Sequence, residues 1–155
     1  MDAYAALKTL HILSATVLFG TGLGIAFFFW SARAADDQAR LQAARTTVRA
    51  DLIFTAPAAI IQPLSGAVLI WWAGLDWTDL WLTGTYLLYL VAGLCWLPVV
   101  WLQWRMMRML EDKVAGRMFD ASHYERLFRW WFALGWPAFL GLVIVFGLMV
   151  AKPSW

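Results

Sequence analysis

One cysteine and two histidines in 155 residues leave little room for several familiar chemistries. Cys95 has no partner for an intrachain disulfide, and a lone thiol builds neither a zinc site nor an iron–sulfur centre. There is no Gly-x-Gly-x-x-Gly turn, phosphate-binding loop, His-Glu-x-x-His pair or Gly-x-Ser-x-Gly elbow, so nucleotide binding, phosphoryl transfer and hydrolysis lack their usual machinery. Charge is scarce as well: Asp, Glu, Lys and Arg make up 14% of the chain, against about 25% in a soluble domain. No soluble basic face remains on which a nucleic acid could lie.

Apolar length is what the chain has in excess, with a mean hydropathy of +0.66. Four runs, Tyr4 to Trp30, Leu52 to Trp72, Trp81 to Trp104 and Trp130 to Val150, each reach the roughly 20 residues needed to cross about 30 Å of hydrocarbon. The expectation is an all-α polytopic membrane protein, a single four-transmembrane-helix bundle over residues 1–155. The first run is too long for the apolar region of a signal peptide and lacks a convincing cleavage site, so it is expected to remain as the first helix.

Charge asymmetry orients the bundle. Arg33, Arg40, Arg45 and Arg49 crowd the connection after the first run; Arg105, Arg108, Lys113, Arg117, Arg126 and Arg129 crowd the one after the third. The turn between the second and third runs offers Asp76 and Asp79, while Lys8 and Lys152 lie near the ends. The positive-inside rule places loops 31–50 and 105–129 in the cytoplasm and both termini in the periplasm, in a multi-pass protein of a bacterial inner membrane. The net charge of +2 then reflects juxtamembrane residues that attract anionic membrane lipids.

Twelve tryptophans fit the same frame. Most fall near the ends of the runs, where an indole sits with its ring in lipid and its N–H near water. Trp96 and Trp136 lie deeper and are candidates for the wall of a cofactor or quinone site. Gly20 and Gly24 form a small-xxx-small ridge that would let another helix approach, inside the bundle or in a homodimer. Pro57, Pro63, Pro98 and Pro137 interrupt the last three runs, each removing an amide donor that neighbours must compensate.

An ionisable group inside a membrane needs a partner, which singles out His11. Lys8, His11, Ser14, Leu18 and Thr21 share one helical face. A neutral imidazole there could ligate haem iron, relay protons, or serve an interhelical hydrogen bond. His123 falls on the opposite side of the membrane, so the two histidines cannot clamp one haem; a haem on His11 would have its other axial position open or filled by another group or a partner subunit. Gln62, between Pro57 and Ser65, is placed to face a cavity, and Gln103 is a second amide in apolar surroundings. An Asp51–Arg129 ion pair is expected between the second and fourth helices, with Arg129 offering charge to a propionate or an anionic substrate. Ser122 is expected to cap the last helix. The candidate cofactor-binding set is therefore His11, Lys8, Ser14, Gln62, Trp96 and Arg129, with His11 as the metal ligand and haem b as the cofactor; no catalytic residue stands out.

The segments Leu7-Lys8-Thr9-Leu10-His11-Ile12-Leu13-Ser14, Phe54 to Pro57, Pro63-Leu64-Ser65-Gly66, Trp131 to Pro137 and the closing Met149 to Pro153 resemble the bacterial integral membrane family called domain of unknown function 2269. More distantly, the chain resembles the membrane-bound haem-containing protoporphyrinogen oxidase and the copper-resistance D membrane domain, through the Lys-x-x-His pattern at Lys8 and His11. In the oxidase family the matching histidine is thought to bind haem, which the resemblance carries to His11. Two departures limit it: Tyr89 to Trp96 holds no second histidine, and Arg129 is followed by aromatic and small residues rather than Asn-Glu. The resemblance implies a b-type haem-binding or electron-transfer protein with a pocket between the first three helices. The alternatives are an oxidase of a porphyrinogen or similar reductant and an accessory subunit of a larger membrane complex.

Overall fold

The computed structural model describes residues 2–153 and shows an all-α, four-helix membrane-spanning bundle. Helix α1 (Ala3–Ser31) is started by Asp2, whose side chain accepts from the Ala5 amide at 2.7 Å, and ends in a 3-10 turn (Ala32–Ala34). Helix α2 (Asp37–Ala50) is capped in the same way by Asp36 and runs through a π-helical turn (Asp51–Thr55) into α3 (Ala56–Ala73). Helices α4 (Leu80–Val114) and α5 (Ala121–Ala151) complete the chain. Two glycines with left-handed backbones end α3 and the turn after α4: Gly74 at φ 63° and Gly116 at φ 71°.

The four spanning stretches are longer than the apolar runs, at 32, 37, 35 and 31 residues. At about 1.5 Å per residue each exceeds the hydrocarbon thickness, so the helices project as a head at the end rich in Arg and Lys. The first basic connection, expected as a loop, is largely helical, since α2 fills most of 31–50. In the second, α4 continues past Trp104 to Val114 and a short turn, Ala115–Asp120, leads into α5, as the sequence from Met106 to Glu125 implies. Asp120, not Ser122, caps α5 by accepting from the His123 amide at 2.9 Å. Asp120 is the last extended residue before the helix, the position from which a side chain reaches the third amide ahead, whereas Ser122 already lies inside the first turn.

Two prolines have visible compensation. Pro57 falls in the first turn of α3, and the preceding turn widens so that Ala56 N–H donates to Asp51 O, five residues back. Pro63 cannot donate to Ala59 O, and the Tyr89 hydroxyl of α4 does so instead at 2.7 Å.

The bundle is built as two pairs. Helix α1 lies along α3 and α4 lies along α5, while α2 packs on α4 and α1 at the basic end. The main core sits there: Phe29 of α1, Leu41 and Ala44 of α2, Met106 and Leu110 of α4, Tyr124 and Phe128 of α5 are all buried. A smaller cluster of Ile70, Trp81 and Leu82 closes the other end. Side chains crowd Gly66 and Gly84, where an added Cβ would lie 3.3 Å from His11 Cε1 and 3.2 Å from Leu148 Cδ1, and at Gly141 it would lie 3.5 Å from the Leu88 carbonyl oxygen. Gly20 and Gly24, the expected ridge, meet no atom within 4 Å among the described residues, because α1 turns that face away from its partner helix.

Candidate functional site

Two polar clusters lie within the apolar part of the bundle. The first joins α1 to α3. His11 Nδ1 is 2.8 Å from Ser65 Oγ, and the Ser14 hydroxyl donates to Gln62 Oε1 and lies 3.0 Å from His11 O. Ser14 and Ser65 are buried, and an added Cβ on Gly66 would lie 3.3 Å from His11 Cε1, so glycine leaves the imidazole its place. The Ser65 proton goes to Ile61 O at 2.6 Å; Ser65 Oγ then accepts from His11 Nδ1–H, which leaves the lone pair on Nε2. Spacing on α1 anticipates the shared His11–Ser14 face; Gln62, expected to face a cavity, instead turns its amide oxygen to Ser14 and is not part of the cavity wall described below. Lys8 shares that face but is exposed and makes no hydrogen bond or ion pair among the described residues.

The second cluster centres on Asp51, which is 2% exposed. Trp96 Nε1 of α4 donates to Asp51 Oδ1 over a long 3.5 Å. Asp51 Oδ2, Thr55 Oγ1, Gln103 Oε1 and Trp131 Nε1 are buried without a hydrogen-bond partner among the described residues. The expected Asp51–Arg129 pair does not form. The π turn inserts one residue into the helix and aims Asp51 at α4, whereas Arg129 is exposed on α5 and keeps its guanidinium solvated.

Asp51 stands at the edge of a cavity of about 700 Å³ between the two helix pairs. Its walls come from all four spanning helices: Leu18, Phe19 and Gly22 of α1, Thr55 at the end of the π turn and Ala59 of α3, Tyr89, Gly93 and Trp96 of α4, Trp131, Gly135 and Trp136 of α5. Gly22, Gly93 and Gly135 each face open space, since an added Cβ would meet nothing within 4 Å. Ile60 and Leu94 on one side, Leu23 and Phe132 on the other, are wall residues that are also exposed, so the cavity opens laterally through both gaps between the pairs.

The six expected cofactor-binding residues therefore occupy four separate places. His11, Ser14 and Gln62 meet between α1 and α3; Trp96 lies on the cavity wall, as does Trp136; Lys8 and Arg129 are exposed and apart. His11 is not on the wall, which α1 joins only from Leu18, about 10 Å further along the helix. No group of three or more His, Cys, Asp or Glu side chains placed to hold a metal ion occurs among the described residues. The feature missed from sequence is the inward turn of Asp51. Its one signal is Thr55 a helical turn ahead of it, followed by Pro57, which forces the preceding turn to adjust.

Residues 5–153 match the family described as "Predicted integral membrane protein (DUF2269)", and the chain belongs to that family. No curated protein and no solved structure matches it.

Proposed function

Starting from a family defined by membrane insertion, we propose that this chain binds an apolar molecule dissolved in the bilayer, held in the cavity between its two helix pairs with its polar end at Asp51. The observation that carries this reading is the coincidence of an apolar, laterally open cavity with a buried carboxyl that no side chain neutralises. Pockets for small ligands combine this kind of apolar wall with a few convergent polar groups. Charge distribution supports a cytoplasmic basic end and periplasmic termini, in a bacterial inner membrane, so Asp51 would lie toward the cytoplasmic leaflet.

A second reading keeps haem b. It is favoured by the free Nε2 of His11, the position at which a resembling oxidase is thought to hold haem. A haem on that nitrogen would lie outside the cavity, with Lys8 and Arg129 too far apart to meet its propionates together, so only one of the expected contacts survives. Bound haem would supply one-electron chemistry, while His11 would contribute its lone pair and Ser65 would hold the tautomer.

One preparation tests both. Protein purified in mild detergent is extracted with organic solvent and the extract weighed by mass spectrometry against a Gly93→Trp variant, which fills the cavity. A molecule retained by the wild type and absent from the variant is the expected result; equal extracts contradict it. Oxidised and reduced absorption spectra of wild type and His11→Ala decide the haem reading. Bands that vanish in His11→Ala support it, and a featureless wild-type spectrum removes it.

A further inference from the structure

We infer that the occupant of the cavity is a lipophilic monocation: one positive charge on a body of rings or alkyl chain. This rests on the reading of the cavity as a ligand site and adds the sign of the ligand's charge.

Three features point the same way. The first is the carboxyl itself. Asp51 is 2% exposed, and no Lys, Arg or His lies within ion-pair distance of it among the described residues. An uncompensated charge at that depth is costly, and a cationic ligand is the partner that removes the cost.

The second is that the polar groups around it are all uncharged. The groups beside the carboxyl, the Trp96 indole, the Thr55 hydroxyl and the Gln103 amide, are neutral groups that can donate to it without cancelling its charge, and Trp131 Nε1–H is a further neutral donor. An ammonium or other cationic centre supplies the charge that is missing, whereas a carboxylate or phosphate would add to the negative charge already there.

The third is the wall. Tyr89, Trp96, Trp131, Trp136 and Phe139 surround the cavity, and no Lys, Arg or His belongs to it. Aromatic faces attract cations and have nothing comparable to offer an anion. The chain already uses this attraction elsewhere, with Arg33 4.3 Å from the centre of the Phe128 ring and Lys152 5.6 Å from that of Trp81. A cavity of about 700 Å³ has room for a drug-sized body. The lateral openings at Leu94 and Phe132 let such a body enter from the lipid, where amphiphilic cations concentrate.

The test uses two ions of nearly equal shape and opposite charge, tetraphenylphosphonium and tetraphenylborate. Each is equilibrated with the full chain in nanodiscs of zwitterionic lipid, and binding is counted above that of empty nanodiscs. The inference expects saturable phosphonium binding near one per chain, weakened about tenfold or more in Asp51→Asn. It expects that binding to persist in Asp51→Glu, to weaken in Trp136→Leu and to disappear in Gly93→Trp. Trp136 is half exposed, so its substitution reads the aromatic wall without depending on how well the Asp51 variants assemble. Borate is expected to show no saturable component.

Saturable binding of both ions, unchanged in Asp51→Asn or in Trp136→Leu yet lost in Gly93→Trp, would overturn the cation inference and leave the cavity as a ligand site. Borate binding in preference to phosphonium would overturn it too. If neither ion binds saturably and the extract of the wild type matches that of Gly93→Trp, the cavity reading fails together with the inference built on it.

Discussion

The basic end of the bundle and its cavity-bearing middle are made from the same helices and the same apolar vocabulary, yet they are packed in opposite ways. At the basic end α1, α2, α4 and α5 close on Met106 and Leu110, both 0% exposed, and ion pairs stitch the surface. Arg33 meets Glu125 at 2.7 Å, Lys113 meets Asp37 at 2.7 Å and Arg45 meets Glu111 at 3.0 Å. In the middle, three glycines face open space and a carboxyl lacks a cation. Water drives apolar surface together at the head, while lipid offers no such drive between helices. A protein can therefore keep a cavity in the membrane at less cost than in water, and the head holds the two helix pairs apart around it.

The largest effect that would sharpen this contrast is a pair of truncations. Leu110→Ala should destabilise the protein by about 2–5 kcal/mol, because the head is packed as a core. Leu94→Ala, 61% exposed on the cavity rim, should change stability little. Both are read from unfolding in graded mixtures of detergent and SDS. Equal losses at the two positions would erase the distinction between head and middle.

A smaller effect of opposite sign is expected at Asp51. In ligand-free protein, Asp51→Asn removes a carboxyl with no cationic partner and should raise stability by about 1–2 kcal/mol. A loss of that size would mean that a cation of the chain does pair with it. Tyr89→Phe comes next, since it leaves Ala59 O without its replacement donor; about 1 kcal/mol should be lost. No change there would show that the gap at Pro63 is filled in another way.

The smallest effect lies at the end opposite the head. Asp76 accepts from the Thr78 amide at 2.9 Å and from its hydroxyl at 2.7 Å, and these bonds, the amide first, hold its carboxyl below the usual value of 3.8. Its contribution to the turn is complete above that unfolded value and is lost as pH falls through the lower folded one. The Thr78 amide resonance should therefore titrate with a midpoint below 3.8, and a midpoint above it would contradict the geometry.

Much of this architecture was legible in the residues. The four spans follow from apolar length, and the His11–Ser14 face follows from a three-residue spacing on one helix. Two kinds of feature were not. The turn at Asp51 depends on one inserted residue, which changes the face of everything around it, and Pro57 signals an adjustment without saying where the side chain ends up. The cavity belongs to no single segment. It is what α1–α3 and α4–α5 leave between them, so Gly93 and Gly135 read as ordinary small residues until their neighbours are in place. Arg129 was assigned inward by its depth, yet a long cationic side chain can bend out to the surface where a short Asp cannot.

The most direct test is a mass spectrum of the intact protein released gently from its own membranes, with wild type, Gly93→Trp and Gly20→Trp measured side by side. Gly93 lines the cavity, whereas Gly20 is exposed on α1 and lies outside it. A cavity that holds a membrane-dissolved molecule predicts a wild-type peak heavier by one bound compound, the same shift in Gly20→Trp, and the bare chain alone in Gly93→Trp. A bare wild type, or a shift that Gly93→Trp shares, would contradict it.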